Sequence, residues 1–154
     1  MTRLAAVAVL LATALSLSAC GRSSSQSAQL PPSLRTYAQS ILEDAPNGVA
    51  TEVEVYGPGS RAHLVKADSG DWVLESASEK RTRFYLVVAH GHFTNYVFSP
   101  PVGFKQPPPA TIATFIRSAQ GKTTDSGFKN SIGPGVSGLN RLAVFTRPDL
   151  GEPN

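Results

Sequence analysis

Apolar residues at Leu34, Tyr37, Ala38, Ile41, Leu42 and Ala45 recur at the spacing of one helical face. Ser33 stands at the capping position and Pro46-Asn47-Gly48 supplies a stop, so the spacing predicts a helix over 34–45. The period then changes to two. Val49, Thr51, Val53 and Val55 alternate with Ala50, Glu52, Glu54 and Tyr56, Gly57-Pro58-Gly59-Ser60 reads as a turn, and Arg61 to Ala67 alternates again. Together they predict an antiparallel hairpin, with Glu52 and Glu54 as exposed positions of a half-buried strand. Asp68-Ser69-Gly70-Asp71 reads as the next turn and Trp72-Val73-Leu74 as a short strand. Thr82 to Phe93 is the strongest strand pattern. Phe84, Leu86 and Val88 share one face and Tyr85, Val87 and Ala89 the other, which predicts a central strand covered on both sides. The proline-rich run 99–109 cannot continue a ladder. Thr111 to Ser118 reads as a further strand, 120–138 as turn and loop, and Leu142 to Thr146 as a last short strand.

One helix followed by four to six strands, with no alternating helices, predicts an α+β domain: an N-terminal helix packed on an antiparallel sheet, loop-rich, in the manner of cystatin-like folds. All 12 prolines follow residue 30, which fits that loop content. No internal repeat is present.

Ahead of the domain, Arg3 is followed by an apolar run from Leu4 to Leu17 and by Ser18-Ala19-Cys20. The run falls short of the roughly 20 apolar residues of a membrane span. Leu17-Ser18-Ala19-Cys20 resembles a bacterial lipobox, and Cys20 is the only cysteine in the chain. The resemblance implies diacylglyceryl transfer to the Cys20 thiol and cleavage before it. On this reading 1–19 is a signal peptide, 20–33 a lipidated cysteine and tether, 34–148 a single domain and 149–154 a tail. Composition points to a tether: Gly21 to Ser33 is rich in serine and glutamine, and its r.m.s. reach would be roughly 20 Å. The expected location is the extracytoplasmic face of the cell membrane, where one cysteine allows no intrachain disulfide.

Charge narrows little. The chain carries 14 Lys+Arg against 11 Asp+Glu, a formal charge of +3, and Arg3 belongs to the leader. The one basic cluster, Lys80-Arg81-Thr82-Arg83, is too short for a nucleic-acid surface, so no nucleic-acid partner is expected.

Candidate chemistry is sparse. His90-Gly91-His92 places two imidazoles two residues apart on one strand face, where they can share a metal ion, with His63 as a third ligand from elsewhere. The simpler reading is the polar end of a strand running past the core into water. A hydrolase requires a nucleophile, a base and an orienting acid. Gly135-Val136-Ser137-Gly138 misses the nucleophile-elbow spacing by one, and Ser137 with a histidine and Asp125 is arithmetically possible but has no other support. Gly57-Pro58-Gly59 and Gly133-Pro134-Gly135 lack the Lys-Ser/Thr ending of a phosphate loop. Tyr96, Phe98 and Phe104 flank the proline-rich run and are candidates for a partner surface. No cofactor is expected.

The stretch from Leu86 to Gly127 also resembles small uncharacterised envelope domains of actinobacterial type. The residues that carry the likeness are the strand ending in Gly91-His92-Phe93, the loop Pro100-Pro101-Val102-Gly103 and Ile112-Ala113-Thr114-Phe115-Ile116. It implies a fold and a location, and no activity. The leading expectation is a membrane-anchored lipoprotein whose domain is a non-enzymatic binding or structural module for an envelope protein or ligand. The rivals are a metal-binding lipoprotein using His90, His92 and His63, and a small envelope hydrolase.

Overall fold

The computed structural model describes residues 30–94, 102–103, 105 and 108–147. Their elements are α1 (Pro32–Glu43), β1 (Gly48–Gly59), α2 (Arg61–Ser69), β2 (Phe84–Phe93), β3 (Ala110–Ser118), β4 (Thr123–Lys129) and β5 (Arg141–Thr146). The five strands form one antiparallel sheet in the order β4-β3-β2-β1-β5. The fold is thus α+β, with a helix on each face of the sheet and not the single helix that the sequence pattern predicts.

The two faces hold separate cores. On one, Leu34, Ala38, Ile41 and Leu42 of α1 pack with Val53, Val55, Val87, Ala89, Ala113 and Phe115. On the other, Leu64 and Val65 of α2 pack with Leu86, Val88, Ile112, Ile116 and Val136. β2 lies at the centre, and its residues 84–89 are buried on both sides, as its double apolar pattern requires. The connection from β4 to β5 crosses the α2 side to the far edge and seats Val136 in that core.

Several expectations change. Residues 61–67 form a helix, not a strand. The Ser60 side chain accepts from the His63 N–H at the start of α2, and Gly70, at φ 81°, ends it in the left-handed conformation. Strand β1 runs through Gly59, so the predicted turn shrinks to the residue that caps α2. Trp72-Val73-Leu74 is not a strand. Thr123–Lys129, predicted as turn and loop, is the edge strand β4. It is polar because it only needs a ladder with β3 and leaves its residues half-exposed. Ser33 does not cap α1; Pro31 occupies the N-cap, and Ser33 Oγ donates to the Ala119 carbonyl at 2.8 Å.

Leu30, expected in the tether, is 3% exposed and belongs to the α1-side core. Gly91, between the two histidines, has a backbone reason. β1 and β2 approach so closely at the irregularity between Ala50 and Glu52 that a Cβ at Gly91 would lie 2.0 Å from the Val49 carbonyl oxygen.

Candidate functional site

α2 is nine residues long and covers only part of its face of the sheet. The uncovered part carries Glu52, Glu54 and Tyr56 from β1, His90 from β2 and Arg141 from β5. Register puts them together: His90 pairs with Glu52, and Arg141 pairs with Tyr56 across the β1–β5 ladder. Glu54 is the hub. It is 6% exposed, against the expectation of an exposed strand position. Its Oε1 accepts from Arg141 NH1 at 2.7 Å, and its Oε2 accepts from the Tyr56 hydroxyl at 2.9 Å and contacts His90 Nε2 at 3.1 Å.

These contacts set the electrostatics. Burial pushes the Glu54 carboxyl up, but the hydrogen bonds from Arg141, His90 and Tyr56 outweigh it and hold the group below its ordinary value. Burial and the neighbouring carboxylate push the Tyr56 phenol up to about 12, so it remains a donor throughout the ordinary pH range. The hydrogen bond to Glu54 raises the Arg141 guanidinium further. A carboxylate oxygen only accepts, so His90 Nε2 carries the proton it shares with Glu54.

Ligand atoms of Glu52, Glu54 and His90 all lie within 4.8 Å of one another, and among the described residues this is the group so arranged. His92 and His63 are not members. His92 is exposed near the end of β2, and His63 is exposed on α2, where its ring lies against Gly59. The sequence therefore pointed to one of the three assembled residues. Glu52 and Glu54 were visible as a same-face pair, and the alternation Glu52, Glu54, Tyr56 was the available signal. Arg141 gave none, because it reaches Glu54 from 87 residues away.

A second feature lies between α2 and strands β3 and β4. A cleft of about 360 Å³ is lined by Asp68, Asp71, Thr114, Asp125, Ser126 and Lys129 among others. Several of its charges are already matched. Asp68 accepts from Thr114 Oγ1 at 3.0 Å and pairs with the Lys129 ammonium. Arg61 holds Asp125 with two bonds of 2.7 and 2.9 Å, and these bonds draw the Asp125 carboxyl below its ordinary value.

The arrangement considered for a hydrolase is not assembled. Its acid, Asp125, is committed to Arg61, and Ser137 Oγ donates to the Pro134 carbonyl at 3.4 Å. No hydrogen bond among the described residues joins Ser137 to a histidine. Cys20, Tyr96, Phe98 and Phe104 lie outside the described residues, as does the tail 149–154. No protein-family model, curated protein or solved structure matches the chain.

Proposed function

We propose that this chain is a bacterial lipoprotein, anchored through acyl chains on Cys20 to the extracytoplasmic face of the cell membrane. Its domain is a non-enzymatic binding or structural module of the envelope. The observation that carries this reading is the sequence Leu17-Ser18-Ala19-Cys20 at the end of an apolar leader, with Cys20 the sole thiol. The chain between Cys20 and Leu30 is the tether, and α1 is the first element of the tethered domain. Two or three acyl chains hold a protein firmly, whereas a single chain binds marginally. The open half of the α2 face, around the Glu54 hub, is the surface offered to a partner. Its charged groups are held by one another, which suits recognition by shape and hydrogen bonding better than acid–base turnover.

Growth with a fatty-acid probe tests the anchor. Wild type takes up label and Cys20→Ser does not; equal label on both would sink the assignment.

A second reading, a metal-binding lipoprotein, is favoured by the Glu52, Glu54 and His90 group. Zinc held at about 2.0–2.1 Å from a ring nitrogen and a carboxylate oxygen keeps those atoms roughly 3 Å apart. His90 Nε2 and Glu54 Oε2 stand at 3.1 Å. Against it, Arg141 and Tyr56 already occupy Glu54, and an ion would have to displace the His90 proton. The leading reading therefore expects no zinc binding tighter than micromolar by the chain from residue 20 onward. Calorimetry that finds a one-to-one, sub-micromolar site, lost in His90→Ala and in Glu54→Gln, would replace the leading reading with this one.

A further inference from the structure

Trp72 and Leu74 are large apolar side chains on the surface, two residues apart. They are 80% and 96% exposed, whereas Val73 between them packs against the α2-side core. This is not a frayed loop. After Gly70 the chain turns back along α2, fixed at one end by the Asp71 N–H on Ser69 Oγ. At the other end the Glu75 carboxylate accepts from the Ala62 N–H at the start of α2. With Val73 held inward and both ends fastened, its two neighbours are held outward. Lys66, on the exposed side of α2, lies with its ammonium 4.1 Å from the centre of the Trp72 ring. Gly133 packs on the carbonyls of Ala67 and Asp68, which brings Ile132, 38% exposed, to the same end of α2.

We propose that Trp72 and Leu74, with Lys66 beside them, form a lipid-facing surface that seats the domain on the bilayer interface. The proposal rests on the anchor reading. Nine residues separate Cys20 from Leu30, and the ten residue-to-residue steps between them extend at most about 36 Å. A domain of this size is also roughly 35 Å across. Some face of it is therefore always within reach of the membrane, and the tether supplies a high effective concentration of lipid.

The chemistry of the patch fits that occupant. An indole with an apolar body and one polar N–H settles at the headgroup level, leucine adds apolar area, and a lysine keeps its ammonium in water while its stem lies along the acyl boundary. Asp71 and Glu75 adjoin the patch, so attraction to anionic headgroups is not the driving force. Two apolar side chains are a weak membrane ligand alone; joined to an anchor they fix orientation.

Trp72 is the only tryptophan and Cys20 the only cysteine, which makes the test direct. The chain from residue 20 onward contains every core residue of the described domain. It is coupled through Cys20 to a maleimide lipid in phosphatidylcholine vesicles, whether or not cells acylate it. Trp72 emission is expected to shift to shorter wavelength on coupling and to be quenched by lipids brominated near the headgroup. Leu74→Asp, at an exposed site, is expected to keep the melting temperature and lose both effects. Emission unchanged by coupling would overturn the proposal. So would a shift that brominated lipid does not quench, because that reports contact between neighbouring copies. A chain that shows quenching but takes no fatty-acid label in cells would overturn the anchor and keep the surface. A labelled chain without quenching would do the reverse.

Discussion

Leu86→Ala lowers the stability of the domain by about 2–5 kcal/mol, the range for deleting a buried leucine side chain that the surroundings cannot fully collapse around. Leu86 is 0% exposed and sits on β2, the central strand, opposite Tyr56 on one side and Ile116 on the other. Leu64 of α2 and Val136 of the β4–β5 connection belong to the same core. These elements are far apart in sequence, so a void there loosens the helix, the crossover and the sheet together. A loss of that size is a large part of the roughly 5–15 kcal/mol that keeps a domain folded. Leu74→Ala is the control, because it deletes the same atoms at a position 96% exposed, and it should change stability by no more than about 0.5 kcal/mol. Urea denaturation of the two variants compares them directly. Equal midpoints would mean that Leu86 is not the buried centre of this core.

The elements that could be read from the sequence are those in which pattern and environment agree. β2 is apolar on both faces because both faces are covered, and α1 carries a single stripe because it has a single sheet beneath it. α2 departs from its strand-like pattern for a physical reason. Leu64 and Ala67 are three apart, as one helical face requires, but Ala62 and Leu64 are also two apart. Over so short a run both periods fit, and the deciding signals are local: the Ser60 cap and the Gly70 stop. β4 hid because an edge strand with one open side needs few apolar residues; among Thr123–Lys129 only Phe128 is a large one.

The site was less legible than the fold. A glutamate in an alternating strand reads as exposed, and Glu52, half-buried, comes close to that. Glu54 differs because Arg141 and Tyr56 close over it and satisfy it, and the bulged register of β5 against β1 is what brings Arg141 there. Nothing local to Glu54 announces a partner on another strand. The histidine pair was visible, yet its two members part company: His90 joins the hub and His92 faces solvent. Trp72, by contrast, is conspicuous as the lone tryptophan, but Trp72-Val73-Leu74 reads as a strand, and that pattern conceals that Val73 turns inward between two exposed neighbours.

Glu54→Gln should destabilise the domain at neutral pH by about 1–3 kcal/mol, and the deficit should shrink as the pH falls. The side chain keeps its shape but loses its charge, and its amide turns a donor towards groups that themselves donate. The direction with pH follows from the carboxyl being held below its ordinary value of 4.5 in the folded chain. A group depressed on folding contributes its full stability above the unfolded value and loses it as the pH drops through the folded value. Wild type therefore weakens below about pH 4.5 as Glu54 takes a proton, whereas the glutamine variant has no proton to gain there. Asp125, drawn down by Arg61, titrates in both chains and cancels in the difference. At the alkaline end the sign reverses. Tyr56, raised from 10.0 to about 12, stays protonated longer in the folded chain, so wild type also loses stability as the pH climbs above 10. Thermal melts from pH 3 to pH 7 carry the decisive comparison. A gap between wild type and Glu54→Gln that stayed constant over that range would mean that Glu54 is not the charged, buried hub of this face.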